Sequence, residues 1–367
     1  MARFRAEVDK PFLFGTLALL VMGLFALASA STGLSQTKFG SPYEILLNQL
    51  TGVGIGLALM VAFSRVRYRF WKTFALPIFV LGLLSLLLVF IPAFGESYAK
   101  GASRWVTVGS FSLQPAEFTK IATIIYLAAI LDSHARRKRG ADQRLVPFVV
   151  AVGVVGLFLL QQPNISALAI ILASAAIMYF VSGGRTTHIV GAIILGVFAI
   201  AAFMYFSGYN VSRITAFLSP ESDSLGKNYQ QNQSLIAIGS GGIFGKGIGE
   251  STQKRSRLPE PIGDAIFAVY AEELGYLGSL VLLALYGFFF IRGIMIASKA
   301  PDQFAALIVI GIVSLVIVQM AINISAFTKL IPATGTPLPF VSFGRSSMVS
   351  FLAAIGIVLN ISRYSRT

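Results

Sequence analysis

The residue best suited to chemistry lies where a long polar segment meets an apolar one. Asp264 directly precedes Ala265 and Ile266, at the start of a predicted helix. A carboxylate in this position has two interpretations. It caps the helix by accepting hydrogen bonds from backbone N–H groups, or it is a general base that faces a cavity. The residues alone leave both interpretations open.

A pair of ionisable residues lies inside an apolar stretch. Glu117 and Lys120 are three positions apart in QPAEFTKIATIIYL and therefore share one helix face. Charged side chains at such a depth in a membrane are costly and commonly mark a functional site. A self-neutralising ion pair near the start of a helix is the structural alternative.

Other polar residues flank apolar stretches. Arg104 lies in a mixed glycine, serine and aromatic segment that suits the headgroup region of a bilayer. Asn164 can cap the helix that follows it or contact a ligand. Arg345, Ser346 and Ser347 end a segment rich in proline and glycine, and they are donors suited to a polar headgroup.

Composition and spacing argue against several other kinds of site. The absence of cysteine removes disulfides, thiolate nucleophiles and the usual zinc ligands. His134 and His188 have no metal-ligand partner at helical spacing. The glycine run at 239–249 lacks the spacing of a phosphate-binding loop, and its remaining property is a backbone that can approach a neighbour closely. Lys246 and Lys254 beside it form part of a basic collar that could attract anionic headgroups or could simply be solvated.

These residues must be positioned by elements that lie in lipid. A chain with 56% hydrophobic and 12% charged residues carries more apolar surface than one water-soluble globule hides. A spanning helix needs about 20 mostly apolar residues. Such stretches lie near 11–31, 44–64, 73–93, 115–133, 145–161, 165–182, 187–207, 274–297, 303–326 and 346–362. We therefore predict an all-α polytopic membrane protein with about ten transmembrane helices in a single domain, residues 1–367.

The distribution of lysine and arginine predicts the orientation. Basic residues concentrate at both ends of the chain and in the short loops at 65–72 and 136–144. Both termini are therefore expected in the cytoplasm. One large extracytoplasmic loop, residues 208–265, then lies between helices 7 and 8, and loops of this length are usually functional or disordered. The net charge of +14 is explained by topology, so we expect no nucleic-acid partner.

Five ordered motifs resemble a known family. The motifs GASRWVTVG, QPAEFTK, QSLIAIGSGGIFGKGIGESTQK, LPEPIGDAIFAVYAEELG and IPATGTPLPFVSFGRSS resemble the SEDS family of peptidoglycan glycosyltransferases, the RodA and FtsW proteins. The segments GESTQK and NISRY are closer to FtsW. The resemblance implies polymerisation of lipid II on the outer face of the bacterial cytoplasmic membrane. It also implies a class B penicillin-binding protein as the transpeptidase partner.

The resemblance also implies roles for individual residues. The catalytic aspartate of the family's Pro-Glu-x-His-Thr-Asp motif corresponds to Asp264, and the glutamate of that motif corresponds to Glu260. The motif Gln-Pro-x-Glu-x-x-Lys includes Glu117 and Lys120.

Three positions depart from the family pattern. Ile262 and Gly263 replace His-Thr before the aspartate, so hydrogen bonds from those side chains are absent. Asn164 replaces the aspartate of the usual Gln-Pro-Asp and removes a charge. Arg345 adds a cation where the family has Tyr-Gly-Gly-Ser-Ser.

We therefore predict that Asp264 deprotonates the 4-hydroxyl of N-acetylglucosamine on an incoming lipid II. The resulting nucleophile displaces undecaprenyl diphosphate from the lipid-linked end of the growing glycan. A diphosphate leaving group needs nearby cations. Lys120 and Arg104 are the first candidates, Arg213 and Arg345 are the next, and a divalent cation, magnesium or manganese, could assist. The remaining predicted substrate-binding residues are Glu117, Glu260, Asn164, Ser346 and Ser347.

Two other classes of function fit parts of the sequence. A transporter, or flippase, for the lipid-linked precursor would also have many spans, intramembrane charges and proline-broken helices. It would however place its polar groups at the midplane of the membrane, whereas here they gather at the outer mouth. A scaffold that only binds a division or elongation partner predicts that Asp264 and Lys120 tolerate substitution.

Overall fold

The computed structural model describes residues 7–91, 95–97, 103–108, 111–136, 141–188, 228–256 and 258–364, together with residues 190, 191, 194, 196 and 217. The predicted span near 187–207 and the first part of the predicted loop 208–265, including Arg213, lie largely outside the described residues.

The described chain is mainly helical. Its helices are α1 Lys10–Phe39, α2 Glu44–Arg65, α3 Tyr68–Thr73, α4 Ala75–Leu88, α5 Pro115–Arg136, α6 Ala141–Gln161, α7 Ile165–Val181, α8 Tyr229–Ser240, α9 Gln253–Ser256, α10 Ile266–Ser298, α11 Gln303–Phe327 and α12 Arg345–Ser362. Every predicted apolar stretch except 187–207, which lies largely outside the described residues, coincides with one of these helices. Five helices, α1, α2, α10, α11 and α12, are each long and apolar enough to cross a membrane. The predicted class, a helical polytopic membrane protein, is confirmed, and the count of ten spans stays a prediction.

A small antiparallel sheet lies between α4 and α5. Its strands are β1 Gly95–Ser97, β2 Ser103–Val108 and β3 Phe111–Leu113, in the order β1-β2-β3. Val106 of β2 pairs with Leu113 of β3 and is buried. The mixed glycine, serine and aromatic composition of this segment predicted a position in the headgroup region but no strands. The run of β-branched and aromatic residues in SRWVTV is typical of a strand and was the available signal.

Helices α11 and α12 form the centre of the bundle. Almost every residue of α12 is buried, as is most of α11. Small residues allow α2 to approach α12 closely. A side chain at Gly356 would come within 2.5 Å of the backbone oxygen of Met60, and one at Gly56 within 2.6 Å of Leu352. Most polar residues of α11 and α12, Gln319 and Asn323 among them, are buried within the protein.

The two ends of the described chain meet on one face of the bundle. The side chain of Asp9 caps α1 by accepting from the N–H of Phe12 at 2.8 Å. The backbone N–H of Asp9 donates to Ser362 Oγ at 2.9 Å, and Arg292 Nη2 contacts Asp9 Oδ2 at 2.6 Å. The first and last described helices, α1 and α12, therefore begin and end on the same side of the bundle, in agreement with the predicted topology. That this side is the cytoplasm stays a prediction.

Helix α10 is broken near its start. Gly275 has φ 67° and ψ −163°, which separates a short first part, residues 266–274, from the long second part that can span a membrane. The break prevents Tyr276 and Leu277 from bonding to the carbonyls four residues before them. Their N–H groups donate to Gly242 and Ile243 at 2.9 and 3.1 Å. In exchange, the carbonyls of Glu272 and Glu273 accept from residues 246 and 247 at 3.0 and 3.1 Å. The glycine-rich loop therefore replaces the hydrogen bonds that the break removes.

Close contact explains two glycines of the run at 239–249. A Cβ atom on Gly245, which has φ +83°, would lie 2.1 Å from the carbonyl oxygen of Glu273. A Cβ atom on Gly241 would lie 2.2 Å from the carbonyl oxygen of Ala271. Only glycine permits this approach, so the neighbour that the sequence left unspecified is the first part of α10.

Candidate functional site

Asp264 lies at the start of α10, on the face of the bundle opposite the termini. The carbonyl of each of three consecutive residues is held by another element. Ile262 O accepts from Phe343 N at 2.8 Å, Gly263 O accepts from Ser342 Oγ at 2.7 Å, and the Asp264 carbonyl accepts from a side chain of α11 at 2.8 Å. The backbone of Asp264 is therefore fixed by the segment 331–344 and by α11.

The carboxylate of Asp264 is only partly buried. Its Oδ2 lies 3.5 Å from the position that a Cβ atom would take on Gly335, so the carboxylate faces the middle of the segment 331–344. The N-cap residue of α10 is Ala265, whose side chain makes no capping hydrogen bond. The helix-capping and the general-base interpretations of Asp264 both stay predictions.

Lys120 and Glu117 form a buried ion pair. Lys120 Nζ lies 2.8 Å from Glu117 Oε1, and the two side chains are 2% and 5% exposed. Lys120 Nζ also donates to Gln319 Oε1 of α11 at 2.6 Å. The second oxygen of Glu117 is buried without a hydrogen-bond partner among the described residues. The structural alternative, a self-neutralising pair, describes part of this arrangement, but the link to α11 goes beyond it.

Two amide side chains of α11 connect the pair to Asp264. Gln319 Nε2 donates to the carbonyl of Pro337 at 2.9 Å. One turn later, Asn323 Nδ2 donates to the carbonyl of Thr336 at 2.6 Å and to that of Asp264 at 2.8 Å. Lys120 and Asp264 are therefore joined through two neighbouring amides and the segment 331–344. Neither amide was among the predicted site residues, although two polar residues four positions apart inside an apolar span indicate such a site.

Three side-chain oxygen atoms, on the residue that contacts the Asp264 carbonyl and on the two neighbours of Gly335, have no hydrogen-bond partner among the described residues. They are Asn323 Oδ1, Thr334 Oγ1 and Thr336 Oγ1, and all three atoms are buried. A buried polar atom without a partner costs about 1–3 kcal/mol, so in native structures such atoms commonly bond to water, an ion or a ligand. The surroundings of the carboxylate are therefore suited to a polar guest.

Arg104 and Asn164 belong to a second polar cluster. Arg104 Nε donates to the carbonyl of Gln162 at 3.2 Å, and Nη2 donates to the carbonyl of Pro163. Asn164 caps α7 by accepting from the N–H of Ala167 at 3.3 Å, which confirms its capping role. Its Nδ2 is buried without a partner among the described residues.

Residues 345–347, at the start of α12, contact α2 and the residue before α5. Ser346 Oγ accepts from Gln114 N at 3.0 Å, next to the start of α5, and both Ser346 and Ser347 are buried. A Cβ atom on Gly52 would lie 3.1 Å from the Cα of Arg345. Ser346 therefore has a structural contact that the sequence did not predict. The substrate-binding role of these three residues stays a prediction.

Glu260 helps to shape the turn before Asp264. Its side chain is exposed, and its backbone has φ +49°. Its carbonyl accepts from the N–H groups of Gly263 and Ala265, each at 3.2 Å.

The first part of α10 is anchored by its own two carboxylates. Glu272 is fully buried and accepts from Lys246 Nζ at 2.6 Å, from Ser251 Oγ at 2.5 Å and from Thr252 Oγ1 at 2.9 Å. Glu273 pairs with Lys254 at 2.5 Å. These two lysines were predicted to belong to a basic collar, and that prediction is wrong for them because each is neutralised. Their ion pairs hold the loop 239–256 against the helix that follows Asp264.

Known proteins are similar to this chain in sequence and in fold. The family model for the cell cycle proteins FtsW, RodA and SpoVE matches residues 10–367. Stage V sporulation protein E of Bacillus subtilis is 38% identical over 366 residues, which cover 100% of both chains. A protein of Trichlorobacter lovleyi named "Probable peptidoglycan glycosyltransferase FtsW" is 36% identical over 357 residues, covering 97% of this chain and 93% of its own.

Solved structures agree with these relatives. The crystal structure of the rod shape determining protein RodA of Thermus thermophilus has a TM-score of 0.72 and 25% identity, and 98% of each chain is covered. A structure described as "Structural coordination of polymerization and crosslinking by a peptidoglycan synthase complex" has a TM-score of 0.76 and 25% identity, covering 97% of this chain and 98% of its own. The chain therefore belongs to the FtsW, RodA and SpoVE family of membrane proteins, the SEDS family, and is FtsW-like.

Proposed function

We propose that this chain polymerises lipid II into glycan strands on the extracytoplasmic face of the bacterial cytoplasmic membrane, with Asp264 as the general base. The broader assignment, a peptidoglycan glycosyltransferase, follows from the family and from the names of its relatives. The finer assignment is carried by one observation. Asp264 has a fixed backbone and a partly exposed carboxylate, next to buried oxygen atoms that lack partners.

The proposed reaction is a single displacement. The carboxylate of Asp264 accepts the proton from the 4-hydroxyl of the N-acetylglucosamine of an incoming lipid II. The oxygen forms a bond to C1 of the lipid-linked muramyl residue of the growing strand. The bond between C1 and the diphosphate oxygen breaks, and undecaprenyl diphosphate leaves with the electron pair. Attack opposite the leaving group inverts the configuration at C1. General base catalysis typically contributes about 10²–10⁴-fold.

The leaving diphosphate requires positive charge, and the structure separates the candidate cations by their surroundings. Lys120 is 2% exposed and engaged by Glu117 and Gln319. Its proposed part is therefore to orient Gln319 and the segment 331–344, and to stabilise negative charge through its field. Arg104 and Arg345 are proposed to lie closer to the diphosphate, since both are partly exposed.

A divalent cation stays a prediction. Among the residues that the structure describes, no group of three or more His, Asp or Glu side chains could hold a metal ion. The carboxylate of Asp264, with the oxygen atoms of Asn323 and Thr336, is the set that suits a hard cation such as magnesium or manganese. Such an ion would supply positive charge to the diphosphate.

The test of the general base uses Asp264→Asn, which keeps the side-chain volume. Purified variant in detergent should form no glycan polymer from lipid II, while its elution volume and thermal midpoint stay those of the parent protein. Glu250→Gln is the matched control, because Glu250 is 67% exposed and lies outside the site. If Asp264→Asn kept more than about a tenth of the parent activity, Asp264 would not be the base.

The same assay separates polymerase from transporter. A detergent micelle has no second compartment, so a transporter would leave lipid II unchanged. The polar residues around Asp264 lie at one end of the bundle, which favours chemistry at a surface over passage through the midplane.

A class B penicillin-binding protein is the proposed partner, as a transpeptidase for the new strand. This proposal is supported by the structural similarity to a component of a peptidoglycan synthase complex. Co-purification from membranes, followed by comparison of polymer yield with and without the partner, tests it.

A further inference from the structure

The glycine-rich loop exposes large apolar side chains. Ile243 is 61% exposed, Phe244 is 80% exposed and Ile248 is 57% exposed. These three residues lie within 242–248, which we call the apolar loop. Side chains of this size seldom cluster in the open on a water-facing loop, and such a group usually marks an interaction surface. The question is which partner covers it.

Backbone hydrogen bonds fix the position of the apolar loop along the axis of α10. Gly242 and Ile243 accept hydrogen bonds from Tyr276 and Leu277, the first residues after the break in α10. The long second part of α10 starts at these two residues and carries an apolar surface that is open to the surroundings of the bundle. Tyr276 is 64% exposed and Leu277 is 44% exposed. The apolar loop is therefore level with the first turn of a membrane-spanning helix.

The apolar surface of the loop continues the surface of that helix. Beyond Leu277, Leu280 and Val281 are also exposed. Apolar side chains on the outside of a spanning helix face lipid or another membrane protein. Gly242 and Ile243 bond directly to Tyr276 and Leu277 at the start of this surface, so the same surroundings extend to the exposed side chains of the loop.

The charge within the apolar loop is neutralised. Lys246 is the only ionisable residue between Gly242 and Ile248. Its Nζ lies 2.6 Å from Glu272 Oε1, and Glu272 is fully buried. A free lysine would oppose insertion into lipid, because burying an unpaired charge is costly. A paired lysine that points back towards the protein removes most of that cost.

The apolar loop cannot easily withdraw from this position. Gly245 is packed so tightly that a Cβ atom would lie 2.1 Å from the carbonyl oxygen of Glu273. Four backbone hydrogen bonds tie the loop to residues 272–277. These contacts also connect it, through the first part of α10, to Asp264 at the start of that helix.

We propose that Ile243 and Phe244 insert into the lipid leaflet on the Asp264 side of the membrane and hold the start of α10 at a fixed depth. The occupant is the acyl-chain and glycerol region of that leaflet. The inserted side chains set the distance between the carboxylate of Asp264 and the plane of the lipid headgroups. Any reacting group that is carried on a lipid lies in that plane. The insertion itself does not depend on the proposed glycosyl transfer.

The depth of Phe244 can be measured directly, since the chain contains no cysteine. A nitroxide is attached to Phe244→Cys, and the protein is reconstituted in vesicles of phosphatidylethanolamine and phosphatidylglycerol. Collision rates with oxygen, which concentrates in lipid, and with a water-soluble nickel complex are then compared. We expect the oxygen rate to exceed the nickel rate. The matched control is Glu250→Cys, a position with an exposed polar side chain, where the nickel rate should be the larger.

Three outcomes would overturn the proposal. A nickel rate at position 244 equal to that at position 250 would place the loop in water. A label shielded from both reagents would show that protein, such as a second copy of the chain, covers it. A label that lies in water in the free protein and becomes shielded from both reagents when a class B penicillin-binding protein is added would identify a docking surface for that partner instead.

A second measurement links depth to activity and rests on the proposed function. Phe244→Ser should lower polymer yield several-fold in vesicles and change it little in detergent, whereas Phe244→Leu should resemble the parent protein in both. Equal yields for the serine and leucine variants in vesicles would mean that insertion does not support catalysis. A failure of the base assignment would appear instead as retained activity in Asp264→Asn.

Discussion

Replacing Asn323 by leucine tests whether α11 positions the general base. Asn323 is fully buried, and its Nδ2 donates to the carbonyls of Asp264 and Thr336 at 2.8 and 2.6 Å. Leucine has a similar volume and provides no donor. Asn323→Leu therefore leaves two carbonyl groups without this partner, and both belong to the segments that face each other across the candidate site.

The structure allows the size of the effect to be estimated. Each lost hydrogen bond contributes about 0.5–1.5 kcal/mol, and an orphaned buried carbonyl adds a desolvation penalty, so the loss in stability should be about 2–4 kcal/mol. A displacement of the reacting carboxylate by about 1 Å costs roughly 100-fold in rate. That factor corresponds to about 2.7 kcal/mol of activation free energy. The two effects are similar in size, so both must be measured.

Polymer formation from lipid II at saturating concentration, together with the thermal midpoint in the same detergent, separates the two effects. We expect a rate about 100-fold lower at a temperature where the variant is fully folded. Ser314→Ala is the matched control, because Ser314 is a buried polar residue of the same helix whose hydroxyl, among the described residues, bonds only to the carbonyl of Gly311 at 3.0 Å. It should retain nearly the parent rate.

The reasoning would be refuted by a folded Asn323→Leu protein with the parent rate. That result would mean that Asp264 is held sufficiently by the contacts to Ile262 and Gly263. An equally large loss of rate in Ser314→Ala would also refute it, because any buried polar change in α11 would then have the same effect.

Three further substitutions are informative. Gly335→Leu should abolish polymer formation by filling the space in front of the Asp264 carboxylate, while Gly335→Ala, whose Cβ atom makes an ordinary 3.5 Å contact, should cost less than about tenfold in rate. Glu272→Gln should lower the thermal midpoint and reduce the free energy of unfolding by about 2–4 kcal/mol. The substitution removes the negative charge that pairs with Lys246, and it places the amide N–H group of glutamine against the hydroxyl and ammonium donors that the carboxylate accepted from. An unchanged midpoint would contradict this expectation. Gly245→Ala should destabilise the chain by at least about 1 kcal/mol, since φ is +83° and the added carbon meets a backbone oxygen; limited proteolysis of the loop would show faster cleavage, and parental cleavage would count against the close packing.

Much of the scaffold could be predicted from the sequence because lipid imposes a simple rule. A spanning helix must be about 20 apolar residues long, and α1, α2, α10, α11 and α12 satisfy this requirement. The resemblance to the SEDS family is likewise confirmed by the family model and the relatives. The three strands at 95–113 were missed because a short sheet lacks a length signal comparable to that of a spanning helix.

The connections within the site could not be predicted because they depend on contacts between distant segments. Asp264 was identified from its position between a polar loop and a helix, and the motif resemblance gave it a role. Asn323 is 59 residues away from it, and nothing in the local pattern shows which carbonyl groups its amide will reach. Similarly, Lys246 and Lys254 were interpreted as a surface charge. Their partners, Glu272 and Glu273, approach them only because α10 is broken at Gly275.

The break at Gly275 has a consequence for how this region opens. The N–H groups of residues 276 and 277 donate to the loop, and the N–H groups of residues 246 and 247 donate to the helix. Because the two segments are bonded in both directions, they must separate together. In deuterated buffer these four amides should therefore show one common free energy of opening, as a single cooperative unit that joins Lys246 and Gly247 to Tyr276 and Leu277.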